Sequence, residues 1–238
     1  NVTILAGIND ALVDMSNAVA TIDDAVSLSE AEALDKLTEG KITLSAVKDT
    51  YANVQDIKAI DDARVDMGAA NVQVTSQTNI TEINDLRDND TTGNITIDDV
   101  SESKDNLATI DGYEDVSLAS ANISVTDVVT KGQADTIHGY NTAAGTTVTL
   151  TAVSDSFGNI DSLQGTDGIV MTGATITATS AQAVTKANVT KLDGFTNALV
   201  TVASVKDTRS NVTDIAGLAG VDMSNAVATI DDAVSLSE

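Results

Sequence analysis

Short runs of alternating apolar and polar residues recur along the chain at nearly constant spacing. They are KITLSAV at 41–47, NITIDDV at 94–100, TVTLTAV at 147–153 and LVTVASV at 199–205. β-Branched and aliphatic residues at every second position are typical of strands that have one buried face. Each run therefore predicts a β-strand.

A helix is predicted directly after each of these strands. The following segment reads Val, Lys or Ser, acid, Ser or Thr, two variable residues, Asn and an aliphatic residue. The acid and the hydroxyl residue supply an N-cap for a helix that begins there. The four asparagines are spaced by 53, 53 and 52 residues, at Asn53, Asn106, Asn159 and Asn211.

Longer strand–helix units fill the gaps between these segments. They occupy residues 13–37, 65–86, 116–140 and 169–195, and each has a strand-like start and a helix-like end. SEAEALDKL at 29–37 is the clearest helix, because it is rich in strong helix formers. Units of about 26 residues, alternately short and long, therefore pair into repeats of about 52 residues.

A still longer repeat encloses the shorter ones. Residues 13–30 and 221–238 are identical over eighteen positions, a shift of 208 residues that equals about four paired units. We therefore expect residues 1–238 to be one continuous segment without an internal boundary, with one 208-residue period at 13–220 and flanking parts of neighbouring periods. We also expect the segment to be an excerpt from a longer array.

A unit of this size cannot bury its own apolar face, so neighbouring units must stack. The predicted fold is therefore an elongated α/β right-handed solenoid with parallel strands covered by helices. Eight strands at the usual inter-strand spacing would cover roughly 40 Å per 208-residue period. The alternative is a string of tandem all-β sandwich domains, against which the helix-like segments argue.

Composition and charge limit the residues that can form the core and the classes of partner that the chain can bind. Aromatic residues make up 2% of the chain, so the core must be built from Val, Ile, Leu and Ala. A net charge of −24 disfavours nucleic acid and anionic membranes as partners. The chain has no Cys, which excludes thiolate chemistry, and no apolar run approaches the roughly 20 residues of a membrane helix. We expect no membrane insertion in this segment.

The four repeated asparagines are the candidate site residues. An amide at the same place in every second unit can satisfy backbone groups of the next unit, so Asn53, Asn106, Asn159 and Asn211 are predicted to form a structural ladder. Asn211 also begins an N-glycosylation sequon, but the other three do not. A ladder is the role that all four can share.

The acidic surface leaves calcium as the one candidate cofactor. Paired aspartates occur at 23–24, 61–62, 98–99 and 231–232, but their spacing does not follow the repeat of about 52 residues. The calcium-roll glycine pattern and the EF-hand loop are both absent. No individual metal ligand is therefore predicted.

Nothing in the sequence predicts catalysis. The only histidine, His138, lies in TIHGY, and the matching segments TIDGY at 109–113 and KLDGF at 191–195 have Asp in its place. A position that accepts Asp or His before Gly indicates an exposed helix C-terminus. With no Cys and no nucleophile–base pair, we expect that the protein is not an enzyme.

One family resemblance follows from these segments. VSDSFGNI at 153–160, after TVTLTA at 147–152, resembles the strand–helix repeats of giant tandem-repeat secreted bacterial surface proteins, which are adhesin-like and of cyanobacterial type. The resemblance implies an extracellular or cell-surface filament, often associated with calcium. The absence of calcium-roll glycines departs from that pattern.

The expected function is therefore structural. We expect a fibre, surface layer or adhesin stalk that contacts copies of itself or neighbouring repeats, and surface polysaccharide is a further candidate partner. The alternative is a solenoid whose exposed face binds carbohydrate or protein.

Overall fold

The computed structural model describes residues 15–60 and 64–232, in which strands and helices alternate along the chain. The chain divides into two compact units. The first unit contains residues 1–101 and 105–122, and the second contains residues 102–104 and 123–238.

Among its described residues, the first unit contains six strands and four helices, and the last of these helices lies in it except for its first residue. The strands are β1 (Ala20–Val26), β2 (Ile42–Asp49), β3 (Val65–Asp66), β4 (Asn71–Thr78), most of β5 (Ile95–Glu102) and β6 (Val116–Ser117). The helices are α1 (Leu28–Leu37), α2 (Tyr51–Ala59), α3 (Ile80–Asp85) with a π-helical turn at Leu86–Asp90, and most of α4 (Lys104–Asp111).

The second unit continues the alternation of strands and helices, with two strands, β11 and β12, in the place that β5 has in the first unit. Its strands are β7 (Asn122–Val129, all but its first residue), β8 (Val148–Asp155), β9 (Ile169–Val170), β10 (Thr175–Ala178), β11 (Val200–Val202), β12 (Ser204–Asp207), β13 (Val221–Asp222) and β14 (Val227–Ile230). Its helices are α5 (Lys131–His138), α6 (Phe157–Gln164), α7 (Lys186–Asp193) and α8 (Arg209–Ala216).

Helices begin at the hydroxyl residues that the sequence marks as caps. The backbone N–H of Asn53 donates to Thr50 Oγ1 at 3.3 Å, ahead of α2. Ser156 and Thr208 have the same position before α6 and α8. A cap satisfies one of the N–H groups that the first helical turn leaves without a partner, which fixes the strand-to-helix switch at this residue.

The strands within each unit are hydrogen-bonded in parallel. In the first unit the order is β1-β2-β4-β5, with β3 also beside β2 and β6 beside β5. In the second it is β7-β8-β10-β11-β13, with β9 beside β8, while β12 and β14 form a separate pair. The prediction of an α/β fold with parallel strands covered by helices is confirmed, and the all-β sandwich alternative is wrong for the described residues.

Within each unit the strands are staggered from one repeat to the next. In the first unit, Val47 pairs with Val72 and Val72 pairs with Ile95, the first residue of β5. Val47 is the sixth residue of β2, so equivalent residues of β2 and β5 are offset by five positions along the strand. The second unit has the same offset, through Val153, Ile176 and Val200.

An interruption in the long units produces this offset. β3 pairs with the start of β2, a turn follows, and β4 then pairs with the end of β2. The turn is closed by a hydrogen bond from Ala70 N to Met67 O at 2.9 Å. The long-unit strands β1, β4 and β7 also contain a bulge, for example where Ile22 to Ala25 lies opposite Leu44 to Ala46. One additional residue is thereby accommodated in each long strand.

The core is built from small aliphatic side chains. In the short-unit strands the first, third and sixth residues are buried, as in Ile42, Leu44 and Val47 of β2. Most helices bury a pair of residues three positions apart. These pairs are Ala31 and Leu34, Val54 and Ile57, Ile83 and Leu86, Leu107 and Ile110, Ala134 and Ile137, Ile160 and Leu163, and Val189 and Leu192. With two buried residues on one face, each of these helices covers the sheet through aliphatic side chains alone.

Candidate functional site

Aspartates in the last residues of a strand, or just after it, connect successive strand–helix units. In each case a carboxylate oxygen accepts the N–H of the first residue of the preceding helix, at 2.8 to 2.9 Å. We call these aspartates the carboxylate ladder. The donor and acceptor pairs are Leu28 and Asp49, Lys104 and Asp127, Lys131 and Asp155, Lys186 and Asp207, and Arg209 and Asp232.

This contact places negative charge at the N-terminus of a helix in the neighbouring unit. The free N–H groups and the helix dipole make that end favourable for an anion. For α2 a neutral group takes the same role, because the N–H of Tyr51 donates to Ser76 Oγ at 3.1 Å. Asp49, Asp155 and Asp207 therefore each contact the start of a second helix besides the one that follows them.

The second carboxylate oxygen of a ladder aspartate organises its own unit. Asp49 Oδ1 accepts the N–H of Thr50 at 2.8 Å and the side-chain amide of Asn53 at 2.7 Å. Asp155 and Asp207 accept the same two bonds in their own units. One carboxylate thus holds the strand end, its own helix start and the preceding helix start together.

Hydrogen bonding controls the ionisation of these groups. Partial burial acts to raise the pKa of Asp49, but donation from the Leu28 N–H, the Asn53 amide and the Thr50 N–H outweighs burial, so the net pKa is lowered. The pKa of Asp155 is lowered in the same way, against the effect of burial, by Lys131, Asn159 and Ser156. The charged form is the one that the surroundings stabilise.

The predicted asparagine positions fall on this arrangement. Asn53, Asn159 and Asn211 each donate their side-chain amide to the ladder aspartate four residues earlier, at 2.7 to 2.8 Å. Asn106 has the equivalent position in α4, three residues after Ser103. Each of these three bonds lies inside its own strand–helix unit. The aspartates make the contacts to the preceding strand–helix unit. An asparagine ladder between units stays a prediction.

A second repeated contact was not predicted from the sequence. The buried Thr38 donates its hydroxyl to Ala18 O at 2.6 Å, and Thr91 and Thr196 donate to Ala70 O and Ala174 O in the same way. The alanines end tight turns that share the pattern Met or Leu, two residues, Ala. The turns begin at Met15, Met67, Leu118, Met171 and Met223. The first residues of these turns are 51 to 53 residues apart, and this spacing is the sequence signal from which the contact could have been predicted.

The π-helical turn of the first unit buries a carboxylate. The side chain of Asp90 has no exposed surface, and Lys58 Nζ lies 2.5 Å from its Oδ1. The amide of Gln55 also donates to Asp90. Nearby, Tyr51 Oη donates to Asp85 at 2.7 Å; burial, followed by this bond, raises the pKa of Tyr51 to about 12. These polar groups pair α2 with the end of α3, so their role is structural.

The repeat is broken at one place in the second unit. His138 ends α5, and the loop after it, with residues 167–170, lines a cleft of about 440 Å³. Asn141 is buried there and accepts a hydrogen bond from Thr146 Oγ1 at 2.5 Å. Gly168 has a φ of 81°, and a Cβ at this position would lie 3.0 Å from His138 Nε2. Smaller clefts, of about 240 Å³ and about 160 Å³, lie after α1 and at the π-helical turn.

The described residues contain no group of three or more His, Asp or Glu side chains arranged to hold a metal ion. The aspartate pair at 61–62 lies outside the described residues. Members of the other pairs contact neighbouring strands, as when Ser45 donates to Asp23 and Gln73 donates to Asp98. The calcium prediction stays a prediction.

Comparison with models of known protein families, with curated proteins and with solved structures gives no match. Within the part of the chain that the structure describes, no helix combines the length and apolar character needed to cross a membrane. The contacts above are therefore the basis for a functional assignment.

Proposed function

We propose that this chain is a segment of an extracellular structural repeat protein, a right-handed solenoid that forms a fibre, a surface layer or an adhesin stalk. The observation that carries the proposal is the carboxylate ladder, in which one kind of hydrogen bond joins successive units in five places. These polar side chains connect copies of a repeat instead of converging on one cleft. In this proposal the protein has no catalytic role.

The strand register gives the proposed array its dimensions. Five residues along a strand cover about 16 Å, and two inter-strand spacings cover about 10 Å. Equivalent residues such as Ile42 and Ile95 are then about 19 Å apart. A straight array would rise about 75 Å in each 208-residue period, nearly twice the distance expected from strands aligned start to start.

Concatemers of residues 13–220 test this proposal. We expect chains of one, two, three and four periods to appear in negative-stain electron micrographs as unbranched particles whose length increases by about 75 Å per period. A row of rounded particles joined by flexible segments, or one compact particle, would contradict the array. A proportional increase in length with constant width supports it.

The irregular cleft supports a second candidate function. Its lining includes His138, Asn141 and Asp167, and clefts of several hundred Å³ are typical of small-ligand sites. In this alternative the surface binds carbohydrate. Titration with bacterial surface polysaccharides would reveal it as binding that His138→Ala weakens and the exposed helix variant Asp56→Ala does not. Equal binding by both variants would argue against the cleft.

A further inference from the structure

A side chain near the end of each long-unit helix faces the residue just before a two-residue strand. In the first unit this contact is an ion pair, in which Arg64 Nη2 lies 2.9 Å from Asp35 Oδ1. In the next repeat the charges have exchanged places, since Arg87 Nε donates to Asp115 at 2.9 Å. Both repeats of the first unit therefore hold a cation and an anion at this point.

Glycine occupies the partner position in the second unit. Equivalent residues share a backbone hydrogen bond of 2.7 to 2.9 Å, in which their carbonyl oxygen accepts the N–H of the first residue of a short-unit strand. These residues are Arg64, Asp115, Gly168 and Gly220. A Cβ on Gly168 would lie 3.0 Å from His138 Nε2, so His138 has the place that Arg87 has in the first unit. None of the described residues forms a hydrogen bond or an ion pair with the His138 ring.

The missing side chain leaves a larger cleft beside His138. The clefts at the equivalent places of the first unit measure about 240 Å³ and about 160 Å³, and the ion-paired side chains Asp35, Arg64 and Arg87 line them. The cleft beside His138 measures about 440 Å³. The loop is also longer here: β8 begins seven residues after the buried Asn141, whereas in each other long unit the next strand begins four residues after the buried threonine that follows the helix. Space for a ligand therefore opens where the first unit holds an ion pair.

We propose that this cleft binds a uronic acid, whose carboxylate contacts His138 as the carboxylate of Asp115 contacts Arg87. An imidazole N–H and a guanidinium N–H both donate to a carboxylate, so the ligand supplies the anion that Gly168 cannot. His138 Nε2 is the ring atom nearest to the position of the missing side chain. This inference rests on the second candidate function, carbohydrate binding, and names the class of sugar.

The rest of the cleft lining suits the hydroxyl groups of a sugar. Thr142, Thr146 and Asp167 line the cleft together with the buried Asn141. Hydroxyl and amide groups donate and accept hydrogen bonds, and a carboxylate accepts them, so these side chains can pair with several ligand hydroxyls. Asp167 is exposed, so solvent screens its repulsion of the ligand carboxylate.

The net charge of −24 limits the form of the ligand. Repulsion between exposed charges is screened beyond about 8 Å at physiological salt, whereas a contact with the half-buried His138 is screened less. A single uronic acid meets this repulsion once, and every further residue of an acidic polymer would meet it again. The preferred ligand is therefore one uronate, either free or at the end of a chain whose other residues are neutral.

His138 reports binding directly, because it is the only histidine of the chain. At constant pH and physiological salt, its Hε1 proton resonance in the full chain should shift saturably with at least one of galacturonate, glucuronate and mannuronate. The neutral parent sugars should need at least about tenfold higher concentrations, because they lack the charged acceptor. Equal affinity for a uronate and its parent sugar would overturn the carboxylate inference but leave carbohydrate binding in place. If no sugar shifts the resonance, both fail, and the concatemers test the array separately.

Three variants that each add one negative charge separate the cleft from general repulsion. Gly168→Asp places a carboxylate at the partner position, and Asp is among the residues that tolerate the positive φ of 81° found there. His138→Asp recreates an arrangement that the chain already has, because a Cβ on Gly220 would lie 2.6 Å from Asp193 Oδ1. Both variants should lower the uronate affinity at least about tenfold in isothermal titration calorimetry. Gly173→Asp, at a turn with open space around it, should not.

Circular dichroism establishes that each variant is folded before its affinity is compared. If Gly168→Asp does not fold, His138→Asp decides alone. Unchanged uronate affinity in a folded cleft variant, or an equal loss in all three variants, would overturn the proposal. A loss confined to the two cleft variants supports it.

Discussion

Replacement of Asp49 by alanine perturbs one complete step of the carboxylate ladder. The carboxylate accepts the N–H of Leu28 at 2.9 Å, the N–H of Thr50 at 2.8 Å and the amide of Asn53 at 2.7 Å. Asp49→Ala removes all three hydrogen bonds together. It also takes the anion away from the N-terminus of α1, while the apolar core remains intact.

The size of the effect follows from the groups left without a partner. Loss of a side-chain cap costs about 1 kcal/mol at a helix N-terminus, and a hydrogen bond to a charged group contributes about 1.5 to 3 kcal/mol. Asp49 is partly exposed, so solvent compensates part of the loss. We expect Asp49→Ala to lower the free energy of unfolding by about 2 to 4 kcal/mol.

The loss should depend on pH. Because the folded-state pKa of Asp49 lies below its ordinary value of 3.8, the carboxylate contributes stability that is fully present above that value. The contribution is lost as the pH falls through the folded-state pKa. The difference between the parent chain and Asp49→Ala should therefore be largest at neutral pH and should shrink as the pH falls below 3.8.

Urea unfolding followed by circular dichroism measures both effects. Asp56→Ala is the matched control, since Asp56 is an exposed aspartate on α2 only seven residues away, and its replacement should change stability by less than about 0.5 kcal/mol. Equal stability of the two variants at neutral pH would refute the ladder as a stabilising contact. A loss for Asp49→Ala that does not change with pH would refute its electrostatic basis.

Four further variants or conditions give defined outcomes. Gly93→Ala should lower the free energy of unfolding, measured in urea, by about 1 to 3 kcal/mol, because the new Cβ would lie 2.2 Å from Ala70 O. The control Ala198→Gly, at the equivalent turn, should change the free energy of unfolding little. Gly158→Ala should raise the melting temperature, since α6 gains about 1 kcal/mol of helix propensity in open space. Lys58→Met should cost about 3 to 5 kcal/mol by leaving Asp90 buried without its cation, a loss that urea unfolding measures. If calcium is bound, a chelator should lower the melting temperature; an unchanged value removes it as a structural cofactor.

Local features of the fold were predictable from the sequence. The alternating runs at 41–47 and 147–153 form strands, and helices begin after Thr50 and Ser156 as the caps indicate. Such signals depend on residues close together in the chain, so a single unit contains them. The repeat length also identified the positions of equivalent residues, including Asn53 and Asn159.

The contacts between units were not predictable in the same way. The pattern marks Asp49 as part of the cap of its own helix, but its other oxygen reaches Leu28, twenty-one residues earlier. The five-residue stagger likewise depends on the turn that Met67 begins, which divides one long strand into β3 and β4. Periodicity locates a strand, but it does not determine how far that strand is shifted against its neighbour.

The central claim is that the units repeat with a constant stagger, and a distance across one repeat tests it most directly. Spin labels on cysteines introduced at Thr43 and Thr96 occupy equivalent places on β2 and β5. Dipolar electron paramagnetic resonance on dilute protein should give a distance centred at about 19 Å, and labels at Thr149 and Thr201 should give the same value. A distance of about 10 Å would mean that the strands align start to start, and would contradict the proposed array.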